Sequence, residues 1–124
     1  MAGKQVLSVG QCFADHSAIS QTLERHFGAD VRAANTLAEA IAQLQREHFD
    51  LVLVNRVCDA DGSAGLDLIK QVKTADSLRH VPIMLVSNYE HAQREAVEAG
   101  AAPGFGKTSL GQPGMLGLLK DYLG

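Results

Sequence analysis

The sequence predicts an α/β fold, a parallel five-stranded sheet with helices packed on both of its faces. Three observations lead there. Strand-like and helix-like segments alternate five times along 124 residues with short connections, and such an alternation packs as parallel strands joined by right-handed helical crossovers. The segment Asp50-Leu-Val-Leu-Val-Asn55 is apolar at successive rather than alternate positions, as suits a central strand covered on both faces. The length also suits a single domain, residues 1–124, with a core that needs neither disulfides nor metal.

The elements follow in order. Lys4–Val9 is a short apolar, β-branched run closed by Gly10, a first strand. Ala18, Ile19, Thr22, Leu23, His26 and Phe27 recur at helical spacing, and Gly28 stops that helix. A brief strand over Ala29–Ala33 precedes Thr36-Leu-Ala-Glu39, a capping box opening a helix that buries Leu37, Ala40, Ile41 and Leu44. Beyond the central strand, Val57–Ala64 is a polar, glycine-containing loop, and the next helix turns Leu66, Ile69 and Val72 inward. Val81–Val86 is a fourth strand, with Pro82 tolerable only near its start. Ser87-Asn-Tyr-Glu90 caps a short helix running to Ala99 and ended by Gly100, and Ala101–Gly106 is a weak fifth strand. Ser109-Leu-Gly-Gln112 with Pro113 starts a last helix, which buries Met115, Leu118, Leu119 and Tyr122.

Composition narrows the function classes. A formal net charge of −3 gives no basic field for a nucleic-acid backbone or an anionic membrane. No stretch approaches the ~20 apolar residues of a membrane helix, so a cytoplasmic protein is expected. Cys12 and Cys58 form neither a CxxC pair nor a zinc spacing, and free thiols are the default, with a reversible redox pair as the sharper alternative. The five histidines show no i,i+4 pair, so neither a metal site nor a cofactor is expected.

The expected strand order is 2-1-3-4-5, the flavodoxin-like (βα)5 three-layer sandwich, which opens a crevice at the carboxyl ends of strands 1 and 3. Function is therefore sought in the residues that close the strands: Gly10, Gln11, Asn55, Ser87 and Lys107.

At these positions the sequence resembles a known family. Asp50–Asn55 followed by Gly65-Leu-Asp-Leu-Ile, then Val81–Ser87, then Glu98-Ala-Gly-Ala through Gly104-Phe-Gly-Lys107, are similar to the third to fifth strand regions of response-regulator receiver (CheY-like) domains. The resemblance covers essentially the whole chain. It implies a domain that accepts a phosphoryl group on an aspartate closing the third strand. An acidic pair after the first strand would hold magnesium, and a hydroxyl and a lysine would hold the phosphoryl oxygens.

Matched residue by residue, the resemblance places Asn55 at the phosphoacceptor position and Gly10 and Gln11 at the acidic pair. An amide is a poor nucleophile, and magnesium is normally held through carboxylates plus phosphate. Ser87 and Lys107 match the family's hydroxyl and lysine, although Ser87 also suits a helix cap. Thr108 stands where the family has proline, and Gly104 where it has a switch aromatic. Phe105 lies next to it, turned by strand alternation to the other side of the sheet.

The reading that follows is a pseudo-receiver, a phosphorylation-independent interaction module in two-component-type signalling, and not an enzyme. Its partner would be a signalling protein (a kinase, an output domain or an adaptor), and a homodimer is compatible with it. Tyr89, His91, Gly104 and Phe105 mark the expected interaction surface. Two alternatives remain, the first from a different class and the second weaker. One is a small-ligand or anion sensor using Ser87 and Lys107. The other is a conventional phosphorelay receiver with a displaced acceptor at Asp59 or Asp61, residues for which a solvated Asp-Gly turn is the preferred reading. Asp15 and His16 near the crevice could suggest acid–base work, but a helix-start aspartate favoured by the macrodipole is the commoner explanation.

Overall fold

A computed structural model describes residues 3–124. Its elements are β1 (Gln5–Val9), α1 (Phe13–Phe27), β2 (Asp30–Ala34), α2 (Leu37–Arg46), β3 (Leu51–Asn55), α3 (Gly65–Thr74), β4 (Ile83–Val86), α4 (Glu90–Glu98), β5 (Ala102–Phe105) and α5 (Pro113–Leu123). A single 3-10 turn, Lys107–Ser109, joins β5 to α5. The strands lie side by side in the order β2-β1-β3-β4-β5, each pair parallel. This is the flavodoxin-like arrangement the alternation predicts.

Alternate residues of the central strands feed two cores. Val52 and Val54 pack with Ala40 and Leu44 of α2, Leu68, Ile69 and Val72 of α3, and Ala96 of α4. Leu51 and Leu53 face the other way, onto Ile19 and Leu23 of α1 and Met115, Leu119 and Leu123 of α5. Burying each Val, Leu, Ile or Met side chain among these stabilises by roughly 1.5–3 kcal/mol. The sheet is thus anchored through its middle, which leaves the strand ends for polar chemistry. Edge strand β2 is blunted by charge, with Arg32 forking onto Glu47 at 2.7 and 2.9 Å. The other edge, β5, carries Pro103.

Local differences from the expected elements have local causes. The second strand is Asp30–Ala34, one residue later than expected, because Gly28 and Ala29 complete the left-handed turn that ends α1. In α1 only Ile19 and Leu23 are fully buried, while Ala18 and His26 lie on the solvent side of the helix. In α3 the buried stripe runs Gly65, Leu68, Ile69, Val72; Leu66, rotated off it, stands beside Tyr89 at the edge of a groove. The Thr36–Glu39 capping box forms in full. Ser87 and Ser109 cap no helix. The N-caps of α4 and α5 are Tyr89 and Gln112, neither with a side-chain cap, and Pro113 alone fixes the start of α5. No described helix is long and apolar enough to cross a membrane.

Candidate functional site

The carboxyl end of the sheet is held together by Gly10 and Asn55. Gly10 follows β1 in the left-handed region (φ 72°), and a Cβ there would stand 2.5 Å from the Cys58 Sγ. The position therefore has neither the backbone nor the space for a side chain. Asn55 ends β3, and its amide nitrogen donates to the Gly10 carbonyl at 3.2 Å and the Val57 carbonyl at 2.8 Å. Its Oδ1 accepts from the Arg56 amide at 3.1 Å. The side chain thus stitches the loop after β1 to the loop after β3, a task that needs an NH2 group. The Asp59 amide reinforces the seam by donating to the same Gly10 carbonyl at 2.9 Å.

Asn55, Ser87 and Lys107 line one cavity of about 330 Å³, walled also by Arg56, Asn88 and Tyr89. Lys107 does not stand alone there. Its Nζ meets the Asp15 carboxylate at 2.6 Å, both side chains half-buried. The Lys107 hydrogen bond is the chief cause holding the Asp15 carboxyl below its ordinary range, against a smaller desolvation effect. Asp15 sits on the first turn of α1, whose N-cap Cys12 accepts the Asp15 amide on its sulfur. Ser87 is buried, and its hydroxyl oxygen accepts from the Tyr89 amide at 3.1 Å. The two groups expected to hold an anion are thus already engaged, one by a carboxylate and one by a backbone turn.

Gln11 is not part of this cluster. It lines a different cavity on the β2 side, together with Ser8, His16 and Asp59. Asp61 is exposed, and its Oδ1 accepts the Ser63 amide, which holds its pKa below the usual carboxylate range. Neither Asp59 nor Asp61 is ion-paired with Lys107, whose partner is Asp15. Cys58 is buried, and desolvation, aided by Asp61, pushes its thiol pKa up, the opposite of what a reactive thiolate requires. Among the described residues, no group of three or more His, Cys, Asp and Glu side chains is gathered for a metal ion.

On the α4 side, Tyr89 is 63% exposed, with the Arg56 guanidinium 4.9 Å from its ring centre. His91 is exposed and lies 3.0 Å from Glu95. Phe105 is not on the surface: it is buried in the core beneath α1 and α5, because strand alternation turns it inward. Gly104 is half-buried, at the point where the β4–β5 register slips. Gln93 of α4 fills the gap. Its amide nitrogen donates to the carbonyls of Leu85 (2.8 Å), Ser87 (3.1 Å) and Phe105 (3.4 Å), and its Oε1 accepts the Gly104 amide at 3.1 Å. A Cβ on Gly104 would collide with the Leu85 carbonyl.

Sequence reasoning missed the roles of Asp15 and Gln93. No local motif ties Asp15 to Lys107, far along the chain. Gln93 had a fainter signal: a glycine at a position usually filled leaves a gap in the sheet that some polar side chain of α4 must satisfy.

Comparison with known proteins agrees with the fold. The family model of the response regulator receiver domain matches residues 13–109. The chain is 30% identical over 103 residues to the two-component response regulator ORR12 of Oryza sativa subsp. japonica, covering 82% of this chain and 84% of that protein. It is 34% identical over 89 residues to the transcriptional regulatory protein ZraR of Escherichia coli (strain K12), covering 69% of this chain but 19% of that longer protein. Among solved structures, the signal receiver domain of a DNA binding response regulator from Colwellia psychrerythraea 34H superposes with a TM-score of 0.80 at 19% identity, covering 95% of this chain and 96% of that one. The chemotaxis protein CheY4 of Vibrio cholerae gives 0.72 at 22%, covering 97% and 95%. At such identities these two likenesses speak to fold.

Proposed function

The chain belongs to the response regulator receiver domain family of two-component systems, and from that membership we propose that it is a pseudo-receiver, signalling by protein contact without phosphorylation. The observation that carries the reading is the Asn55 side chain. It closes β3, where a receiver needs a nucleophilic carboxylate, and presents an NH2 group bonded to two carbonyl oxygens. An aspartate in that setting would face those two carbonyls with no proton to offer.

Three further features support it. Gly10 cannot carry an acidic side chain without strain and without displacing Cys58. Gln11 belongs to a separate cavity. Lys107 is matched by Asp15. The donor set therefore does not fit a magnesium ion, which favours oxygen ligands in a near-octahedral shell. No carboxylate lines the cavity among the described residues, and the charge of Asp15 beside it is already met by Lys107. In this reading the site is a structural clasp, there is no catalytic group, and the protein works in the cytoplasm.

Output would then lie in the contact surface. Between α4 and α5 runs a groove of about 570 Å³ lined by Arg94, Gln112, Met115 and Leu118, and Tyr89 and His91 stand at the start of α4. Such a surface suits a signalling protein, whether kinase, output domain or adaptor. The test is intact-mass spectrometry after treatment with acetyl phosphate and magnesium. The expected result is no phosphate adduct; an adduct on Asp15, Asp59 or Asp61 would overturn the reading in favour of a displaced acceptor.

A further inference from the structure

A second groove lies on the α3 side of α4, across that helix from the α4–α5 groove. It measures about 390 Å³, with an apolar floor of Leu66, Leu85 and Ala92 and with Arg56, Tyr89 and Glu95 along its walls. The large apolar side chains exposed among the described residues are Phe13, Val57, Tyr89 and Val97, and two of these, Val57 and Tyr89, border this one groove. The Tyr89 ring is braced on one face by the Arg56 guanidinium, 4.9 Å from its centre, yet stays 63% exposed. A braced aromatic ring beside an apolar hollow loses little conformational freedom when something covers it.

The charges on the walls restrict what can cover it. Arg56, from the loop after β3, has no ion pair among the described residues. Glu95, from α4, meets His91 through Oε1 at 3.0 Å, which leaves Oε2 open. An acidic partner would be repelled by Glu95 and a basic one by Arg56. The fitting partner therefore carries one charge of each sign and an exposed apolar side chain between them. This surface has that composition itself. A two-fold axis sets residue i against residue j of the other copy and j against i, so one such contact would match the opposite charges twice.

We propose that this face pairs with a second copy of the chain about a two-fold axis. Tyr89 of each copy enters the other's groove, and Arg56 of each meets Glu95 of the partner subunit. The proposal gives a partner to the Tyr89 end of the contact surface above; it rests on contact being the output there, and not on the absence of phosphorylation.

The experiment is sedimentation velocity of the chain over a range of concentrations. A reversible monomer–dimer equilibrium is expected. Arg56→Glu and Glu95→Arg each turn both cross-pairs into like charges, and each should dimerise at least about tenfold more weakly. An equimolar mixture of the two variants should recover the dimer, because both cross-pairs of the mixed species are again opposite in sign. Tyr89→Ala should also weaken it. All three side chains are exposed, so each variant should keep the circular dichroism of the parent. The proposal fails if the chain stays monomeric up to about 1 mM, which would leave the groove to a different protein or a small apolar ligand. It also fails if neither charge variant weakens the dimer, since another face then joins the copies, or if the mixture dimerises no better than each variant alone. A monomeric chain leaves the phosphate-adduct test untouched, and an adduct leaves the dimer untouched, so the two readings fail separately.

Discussion

Asn55 differs from aspartate by one NH2 group, yet that group makes two of the contacts closing the crevice. Asn55→Asp should therefore not behave as a harmless reversion. It exchanges two donated hydrogen bonds for a carboxylate facing two carbonyls, and leaving such partners unmade costs about 1–3 kcal/mol. Urea denaturation at neutral pH should show a loss of that size, and a variant as stable as the parent would argue against the clasp. That Asn55, Gly10 and Ser87 stand where strands end was legible in the sequence, because a strand's end is marked by where its apolar run stops, whereas Lys107 begins the 3-10 turn two residues past β5. Their partners were not legible. Lys107 meets Asp15, and Gly10 meets Cys58, through contacts between segments distant along the chain.

At the scale of elements, the contact between α4 and the edge of the sheet depends on Gln93. Its amide bonds both strands where their register slips, doing by polar contact what backbone pairing cannot do there. Gln93→Leu should leave the Gly104 amide and the Leu85 carbonyl short of partners. The expected outcome is a loss of about 1–3 kcal/mol, together with faster hydrogen exchange at Gly104 and neighbouring β5 amides and little change in β1 or β3. Uniformly faster exchange across the sheet would mean that Gln93 serves global stability alone. Helices α1, α2, α3 and α5 were legible by their apolar period, α4 only by its flanking turn residues, and the capping box of α2 forms as expected. The starts of α4 and α5 were not legible, because a serine near a helix start can serve a turn instead: Ser87 accepts the Tyr89 amide two residues on.

For the whole molecule, the alternation of segments was enough to give the sheet order, since right-handed crossovers between short parallel strands leave few ways to arrange five of them. What alternation cannot convey is how charge is distributed over the finished surface. Three aspartates have carboxyls held below their ordinary range. Asp15 owes this chiefly to Lys107. At Asp50 desolvation opposes the shift but is outweighed by the Gln5 amide and His48, and Asp61 owes it to Ser63. A carboxyl with a lowered folded pKa lends stability above its unfolded value, near 4, and loses it as pH falls through the folded value. Stability should thus be level through mildly acidic pH and decline below about pH 4, with Lys107→Met showing a smaller decline because Asp15 has returned toward its ordinary value. Denaturant midpoints measured across that range check this; a decline already complete by neutral pH would contradict it.

On the pseudo-receiver reading, the crevice has no phosphoryl-accepting chemistry. The most direct test is the amide NMR spectrum before and after addition of magnesium and beryllofluoride, which imitates a phosphoryl group on an aspartate. An unchanged spectrum at Asn55, Ser87, Gly104 and Lys107 is the predicted result. Coherent, saturable shifts at those residues, requiring both magnesium and beryllofluoride, would contradict it.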